Sequence, residues 1–209
     1  MEPRDCEDLV VLTACDNAKS AVSGILSREK SLGIRPIRAT FYVHPGRDPG
    51  CYRHAAEFLR AHAARFRHAI VVFDREGCGR DATPARELEK DVEGRLHSSG
   101  WKDRAAVIVC DPELDIWVWS QSPHVESKLG WKGRSPDLVS WLRNRELLED
   151  GALKPRRPKE ALEAALREVR KPRSSAVYKA LAEVVSFQGC VDPAFTRLRE
   201  KLVEWFPAA

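Results

Sequence analysis

The residues able to do chemistry in this 209-residue sequence fall in four short clusters. They are Asp16; His44 with Arg47; Asp74-Arg75-Glu76 with Arg80; and Asp111, Glu113 and Asp115. Carboxylates dominate, and hard divalent cations prefer oxygen ligands. Mg²⁺ typically takes one or two carboxylates and completes its shell with water and phosphate oxygens. The spacing of Asp74 and Glu76 therefore suggests a Mg²⁺ or Mn²⁺ site, with Glu113 as a third ligand. Such equipment suits phosphoryl chemistry, where the ion activates a water and steadies the leaving oxygen. Asp16 would assist catalysis beside Asp74. His44 would meet phosphate or serve as a general acid, and Arg47, Arg75 and Arg80 would contact the nucleic acid or substrate.

Each cluster follows an apolar run. Asp8 to Thr13, Ile37 to Val43, Ala69 to Phe73 and Ala105 to Cys110 read as four short strands buried on both faces. Between them Ala18, Ala21, Val22, Ile25 and Leu26 recur at helical spacing, as do Ala55, Phe58, Leu59, His62 and Phe66, and then Ala85, Leu88, Val92 and Leu96. Alternating strands and helices imply parallel crossovers and a sheet covered on both faces. All four strand ends then share one edge, where open α/β sheets bind ligands. Gly33 and Gly100 close helices, and Asp16 and Asp111 stand as N-caps, with Pro112 opening a helix through Trp119.

Beyond residue 120 the sequence turns helical. Ser120 to Arg134 reads as an irregular segment, followed by helices over Pro136–Leu148, around Ala161–Val169, around Val177–Val185, and after Asp192-Pro193. The expected organisation is an α/β core over 1–120, with a four-stranded parallel sheet, and a helical extension over 121–209 packed on it.

Each cluster also has a plainer reading, and both stay open at this stage. Asp74 and Glu76 could be solvated or paired with Arg75 or Arg80. Asp111, Glu113 and Asp16 could serve helix caps and the macrodipole, and Asp115 could meet a basic neighbour. His44, before Pro-Gly, could be an exposed loop residue. Trp117 and Trp119 fit a core, whereas Trp101 and Trp131 sit in expected loops and fit partner contact. Lys154 to Arg173 carries eight basic and three acidic residues. It could face nucleic acid, or be a solvated helix with pairs such as Glu163–Arg167.

Composition narrows the classes. A formal charge of +4 permits a nucleic-acid partner without demanding one. No apolar run reaches the roughly 18 residues of a membrane span. The start, Met1-Glu-Pro-Arg-Asp, does not read as a signal peptide. Six cysteines lack any Cys-x-x-Cys pairing, which suits reduced thiols and a cytoplasmic protein. No Gly-x-x-x-x-Gly-Lys-Ser/Thr loop is present, which counts against an ATPase.

The succession Val71-Val-Phe-Asp74-Arg-Glu76-Gly77, then a strand, then Pro112-Glu113-Leu-Asp115-Ile-Trp117, resembles the TOPRIM-like proteins of bacterial defence and mobile-element loci. The last segment, Val191-Asp-Pro-Ala-Phe195-Thr-Arg-Leu198, is similar to that group's terminal helix. The resemblance implies a compact parallel α/β core whose acidic residues bind Mg²⁺ for strand cleavage or nucleotidyl transfer on DNA or RNA, in a nuclease of a defence system. Asp74 and Glu76 would match the acidic pair after the central strand, and Glu113 the acid of the helix motif. TOPRIM domains usually place a glutamate straight after the first strand. Here that place reads Thr13-Ala14-Cys15-Asp16. The alternative is thus a catalytically inactive subunit that binds other members of a defence complex.

Overall fold

The computed structural model describes residues 6–208; the N-terminal stretch read above against a signal peptide, residues 1–5, lies outside them. Four strands, β1 (Glu7–Thr13), β2 (Ala39–Val43), β3 (Phe66–Asp74) and β4 (Ala105–Cys110), form one all-parallel sheet in the order β2-β1-β3-β4. The fold is α/β and Rossmann-like, with helices on both faces. α1 (Asp16–Leu26), α2 (Glu29–Leu32), α3 (Arg47–Arg60) and α4 (Ala85–Leu96) belong to the sheet half. α5 (His124–Leu129), α6 (Leu138–Asn144), α7 (Pro158–Glu168), α8 (Ser175–Ala182) and α9 (Pro193–Trp205) make the helical C-terminal region.

The continuous apolar runs follow from burial on both sides. Along β3, Ala69, Val71 and Phe73 face α3 and α4 with Val10, Leu12, Val107 and Val109. Ile70 and Val72 face the opposite way with Leu9, Val11, Ile108 and Cys110. That second face is covered by α1 together with the C-terminal helices, through Leu162, Leu166, Leu181, Leu198 and Leu202. The helical extension therefore shares its core with the sheet. Gly24 permits the close approach of α8 to α1: a Cβ there would stand 2.8 Å from the Ala182 Cβ.

The outer edge of β4 is sealed by side chains. Val107 N–H donates to Glu93 Oε1 at 2.9 Å, and Arg197 of α9 donates through Nε to the Val107 carbonyl at 3.0 Å. Arg197 also pairs with Glu93 and, at 3.3 Å, with Glu89. Backbone groups that a fifth strand would satisfy are held by a partly buried ionic cluster.

Several local expectations are corrected. Gly33 caps not α1 but α2, in left-handed backbone with φ of 79°. Asp16 is the exposed first residue of α1, and Cys15 occupies the N-cap without a side-chain bond. Asp111-Pro112 is a cis peptide that starts no α-helix; only a 3₁₀ turn, Leu114–Trp117, follows. The segment 120–134 contains α5, closed by Gly130 at φ of 89°. Trp101 and Trp131 are buried, at 0% and 1% exposure. The Trp101 indole donates to the Leu59 carbonyl at 3.2 Å, so its polar edge is satisfied inside. Asp192 caps α9 as read, accepting from Phe195 N at 3.1 Å.

Candidate functional site

The four strand ends meet on one rim, and Asp74 is its hub. β3 runs two residues past Val72, the partner of Thr13 at the end of β1. The Asp74 N–H thus emerges where β1 no longer offers a carbonyl. Asp48, in the first turn of α3, takes that place: its Oδ1 accepts from Asp74 N at 2.8 Å. The Asp74 side chain turns toward the loop after β4, and its Oδ1 accepts from Leu114 N at 2.8 Å. Arg75 N and Glu76 N continue the junction by donating to the carbonyls of Cys110 and Pro112, at 2.9 and 3.0 Å. One residue therefore ties the exits of β2, β3 and β4 together.

This position raises the proton affinity of the carboxyls. Burial pushes Asp74 well above the usual carboxylate range, and the negative charge of Asp48 adds to it. Asp48 is also raised, by burial, with Arg47 and Lys159 acting weakly against the shift. Glu113 is raised by burial and then by Asp115; the Lys159 N–H of α7 donates to its Oε1 at 3.0 Å and offsets part of that. Desolvated carboxyls that repel one another are the electrostatic condition a bound cation reverses.

Cys15 stands beside this group. Burial raises its thiol, and Asp74 and Asp48 contribute. A thiol held protonated is a poor nucleophile. It lies in the loop between β1 and α1. Thr13 offers nothing in exchange, since its hydroxyl lies 3.2 Å from the carbonyls of Cys15 and Tyr42.

His44 is buried, contrary to the reading of an exposed loop residue. Its backbone N–H extends the sheet by donating to the Thr13 carbonyl at 2.8 Å, and its Nδ1 accepts from Gly46 N at 3.0 Å. Burial and then His54 lower its pKa. With Nδ1 accepting, the neutral ring carries its proton on Nε2. Gly50 makes room for it, because a Cβ there would fall 2.2 Å from Nδ1.

The remaining expected residues scatter. Asp16 and Glu76 are exposed. Arg75 donates through Nε to Asp111 at 2.7 Å and through Nη1 to the Asp81 carbonyl, so it is committed to the loop itself and not to phosphate. Arg47 and Arg80 are exposed, and Arg47 holds a φ of 51°, rare outside glycine. Asp115 is 2% exposed and meets a basic neighbour: Arg173 Nη2 donates to both of its oxygens at 3.1 and 2.9 Å, and the Tyr178 hydroxyl donates at 2.6 Å. Glu163 also turns to Arg173, at 4.0 Å, and not to Arg167 as the helical spacing suggested. Among the described residues no three His, Cys, Asp or Glu side chains form a group able to hold a metal ion, the Asp74, Glu76 and Glu113 set included.

Sequence reasoning missed Asp48. The segment after β2 reads as turns, yet Asp48-Pro49 carries the acid-proline signature of a helix start that was recognised at Asp192-Pro193. The chain matches no family model, no curated protein and no solved structure. No helix among the described residues is long and apolar enough to cross a membrane.

Proposed function

We propose that this rim binds a divalent cation, Mg²⁺ or Mn²⁺, and serves phosphoryl transfer or phosphodiester cleavage on nucleic acid, as a nuclease of a defence system. The observation that carries the reading is the Asp48–Asp74 pair. Two residues whose carboxyls have raised proton affinity meet at the carboxyl edge of a parallel sheet, where the Asp48 carboxylate accepts from the Asp74 backbone N–H. A donor set of two carboxylates is too small for an all-protein cage. It fits Mg²⁺, which keeps several waters and shares its remaining positions with substrate phosphate. Asp74 and Asp48 would hold the ion, and the ion would supply charge stabilisation and an acidified water. The chain's own part would be to keep Asp74 aimed through Leu114 and to offer Arg47 and Lys159 to phosphate oxygens.

One observation favours a second reading, a cation-binding but catalytically inactive interaction subunit. Neither Thr13 nor Cys15 replaces the missing glutamate, and Asp16 lies exposed at the start of α1. A single set of measurements separates the two. Mn²⁺ and Mg²⁺ are titrated into wild type, Asp74→Asn and Asp48→Asn at pH 7.5, and each protein is incubated with single- and double-stranded DNA and RNA. The nuclease reading expects saturable cation binding and cleavage, both lost in Asp74→Asn. Binding without cleavage, with co-purification of a second protein, supports the subunit. No cation binding to wild type refutes both.

A further inference from the structure

We propose that an apolar cleft between the 3₁₀ turn, α1, α8 and the loop before α9 is a binding site for a small amphipathic monocarboxylate. The cleft encloses about 410 Å³ where α1 and the 3₁₀ turn meet the helical region, and neither Asp48 nor Asp74 lines it. That volume falls within the roughly 300–1,000 Å³ of small-molecule sites, which are mostly apolar with a few placed polar groups.

Its walls are built from Ile25, Trp117, Trp119, Leu181, Phe187 and Phe195. In a chain whose residues are 32% charged, Lys154 is the one charged residue lining it among the described residues, and no described acid does. Lys154 Nζ stands 3.4 Å from Asp192 Oδ2, a long ion pair. The other oxygen of Asp192 is committed to the Trp117 indole at 2.9 Å and to Phe195 N at 3.1 Å. Asp192 is therefore fixed behind the wall as a cap, while the ammonium has three donors and only one weak partner there. A carboxylate at the mouth would give Lys154 a second, closer acceptor, and a charge-assisted bond of this kind is the stronger class. Ser120, Gln121 and Ser122 add neutral donors on the same wall.

The mouth points to an apolar body on the ligand. Leu153 and Val191, both lining the cleft, are 67% and 80% exposed. They are the two most solvated large apolar side chains among the described residues. A ligand tail that covers them removes apolar surface from water. The lining includes Leu114, whose N–H donates to Asp74, so an occupant would meet the element that aims the rim carboxylate.

The test uses the full chain with decanoate below its micellar concentration and decanol as the uncharged control, read by calorimetric titration and by the change in total tryptophan fluorescence, to which Trp117 and Trp119 in the cleft wall contribute. Decanoate is expected to bind at one saturable site. Lys154→Met is expected to weaken decanoate about tenfold or more and to leave decanol unchanged. Val185→Trp, on the half-buried wall, and Ser186→Trp, on the exposed rim, are expected to block both probes; the second variant serves if the first disturbs the fold. The proposal is overturned if neither probe saturates, or if decanoate binds Lys154→Met as tightly as wild type. It is also overturned if an acidic peptide bearing a leucine anchor binds in a Trp-blocked manner while decanoate does not, which would give the cleft to a protein partner.

Discussion

Replacing Asp115 with alanine tests whether the motif after β4 acts by holding the helical region onto the sheet. Asp115 is almost fully buried and accepts from Arg173 twice and from Tyr178 once. Removing it strands the Tyr178 hydroxyl, which is 3% exposed, and leaves Arg173 with a buried Nε that already has no partner. Breaking a fully buried ion pair costs about 3–5 kcal/mol. The Arg173 side chain is 27% exposed, so water recovers part of the loss and the lower end applies, about 3 kcal/mol. A smaller gain opposes it, because Asp115 helps raise the carboxyls of Asp74 and Glu113. For a chain of this size, about 3 kcal/mol lowers Tm by roughly 6–12 °C. Tyr178→Phe removes one hydrogen bond to a charged acceptor and should cost about 1.5–2 kcal/mol. Since both variants break the same contact, the double variant should cost less than the sum by at least about 0.5 kcal/mol. Urea unfolding of the four proteins at pH 7 gives the cycle. A loss below about 1 kcal/mol for Asp115→Ala, or strict additivity with Tyr178→Phe, would show that the contact does not hold α8 to the rim.

Three further outcomes are expected. His68 stacks on Trp205 with ring centroids 4.4 Å apart and a buried Nδ1 without a partner, and burial lowers its pKa to about 4. The folded state then binds fewer protons than the unfolded chain, so stability should fall as pH drops from about 6.5 to 4. The full shift is worth about 3 kcal/mol, reduced to about 1–2 by partial exposure, and urea midpoints of His68→Phe should lose this slope. Asp74 has the opposite sign. Its raised pKa means that stability is fully present below the ordinary aspartate range and declines as pH rises through the folded value, so Asp74→Asn should raise the urea midpoint at pH 8 while removing cation binding. Gly50→Ala would force its Cβ to 2.2 Å from the His44 ring; displacing that ring should cost about 1–3 kcal/mol, measured by urea denaturation, and should weaken Mn²⁺ binding by loosening the start of α3 that carries Asp48.

The sheet was readable because burial on both faces leaves a strong mark. β4 is found at Ala105–Cys110 as its apolar run indicates, whereas β3 runs from Phe66 to Asp74 and begins well before its own run, Ala69 to Phe73. Helical spacing likewise marked α1, α4 and α9; at α3 it ran too far, because the helix ends at Arg60 and Phe66, read as part of its apolar face, opens β3. The site was only partly readable. Asp74 stood out because it ends the central strand, a position fixed by local pattern. Asp48 did not, since its role arises from a register offset that leaves the Asp74 N–H facing the helix after β2.

The sequence by itself determined the layers, the parallel order of elements and the edge on which the acids gather, because these follow from the period of apolar residues and from crossover geometry. Only the tertiary structure decided which acids work together. Asp115 and Asp111 are taken by Arg173 and Arg75, Glu89 and Glu93 by Arg197, and Asp192 by the cap of α9. Asp48 and Asp74 share one hydrogen bond on the rim. The physical reason is that a carboxylate's role depends on burial and on its nearest cation, and partners such as Asp115 and Arg173 lie 58 residues apart in the chain.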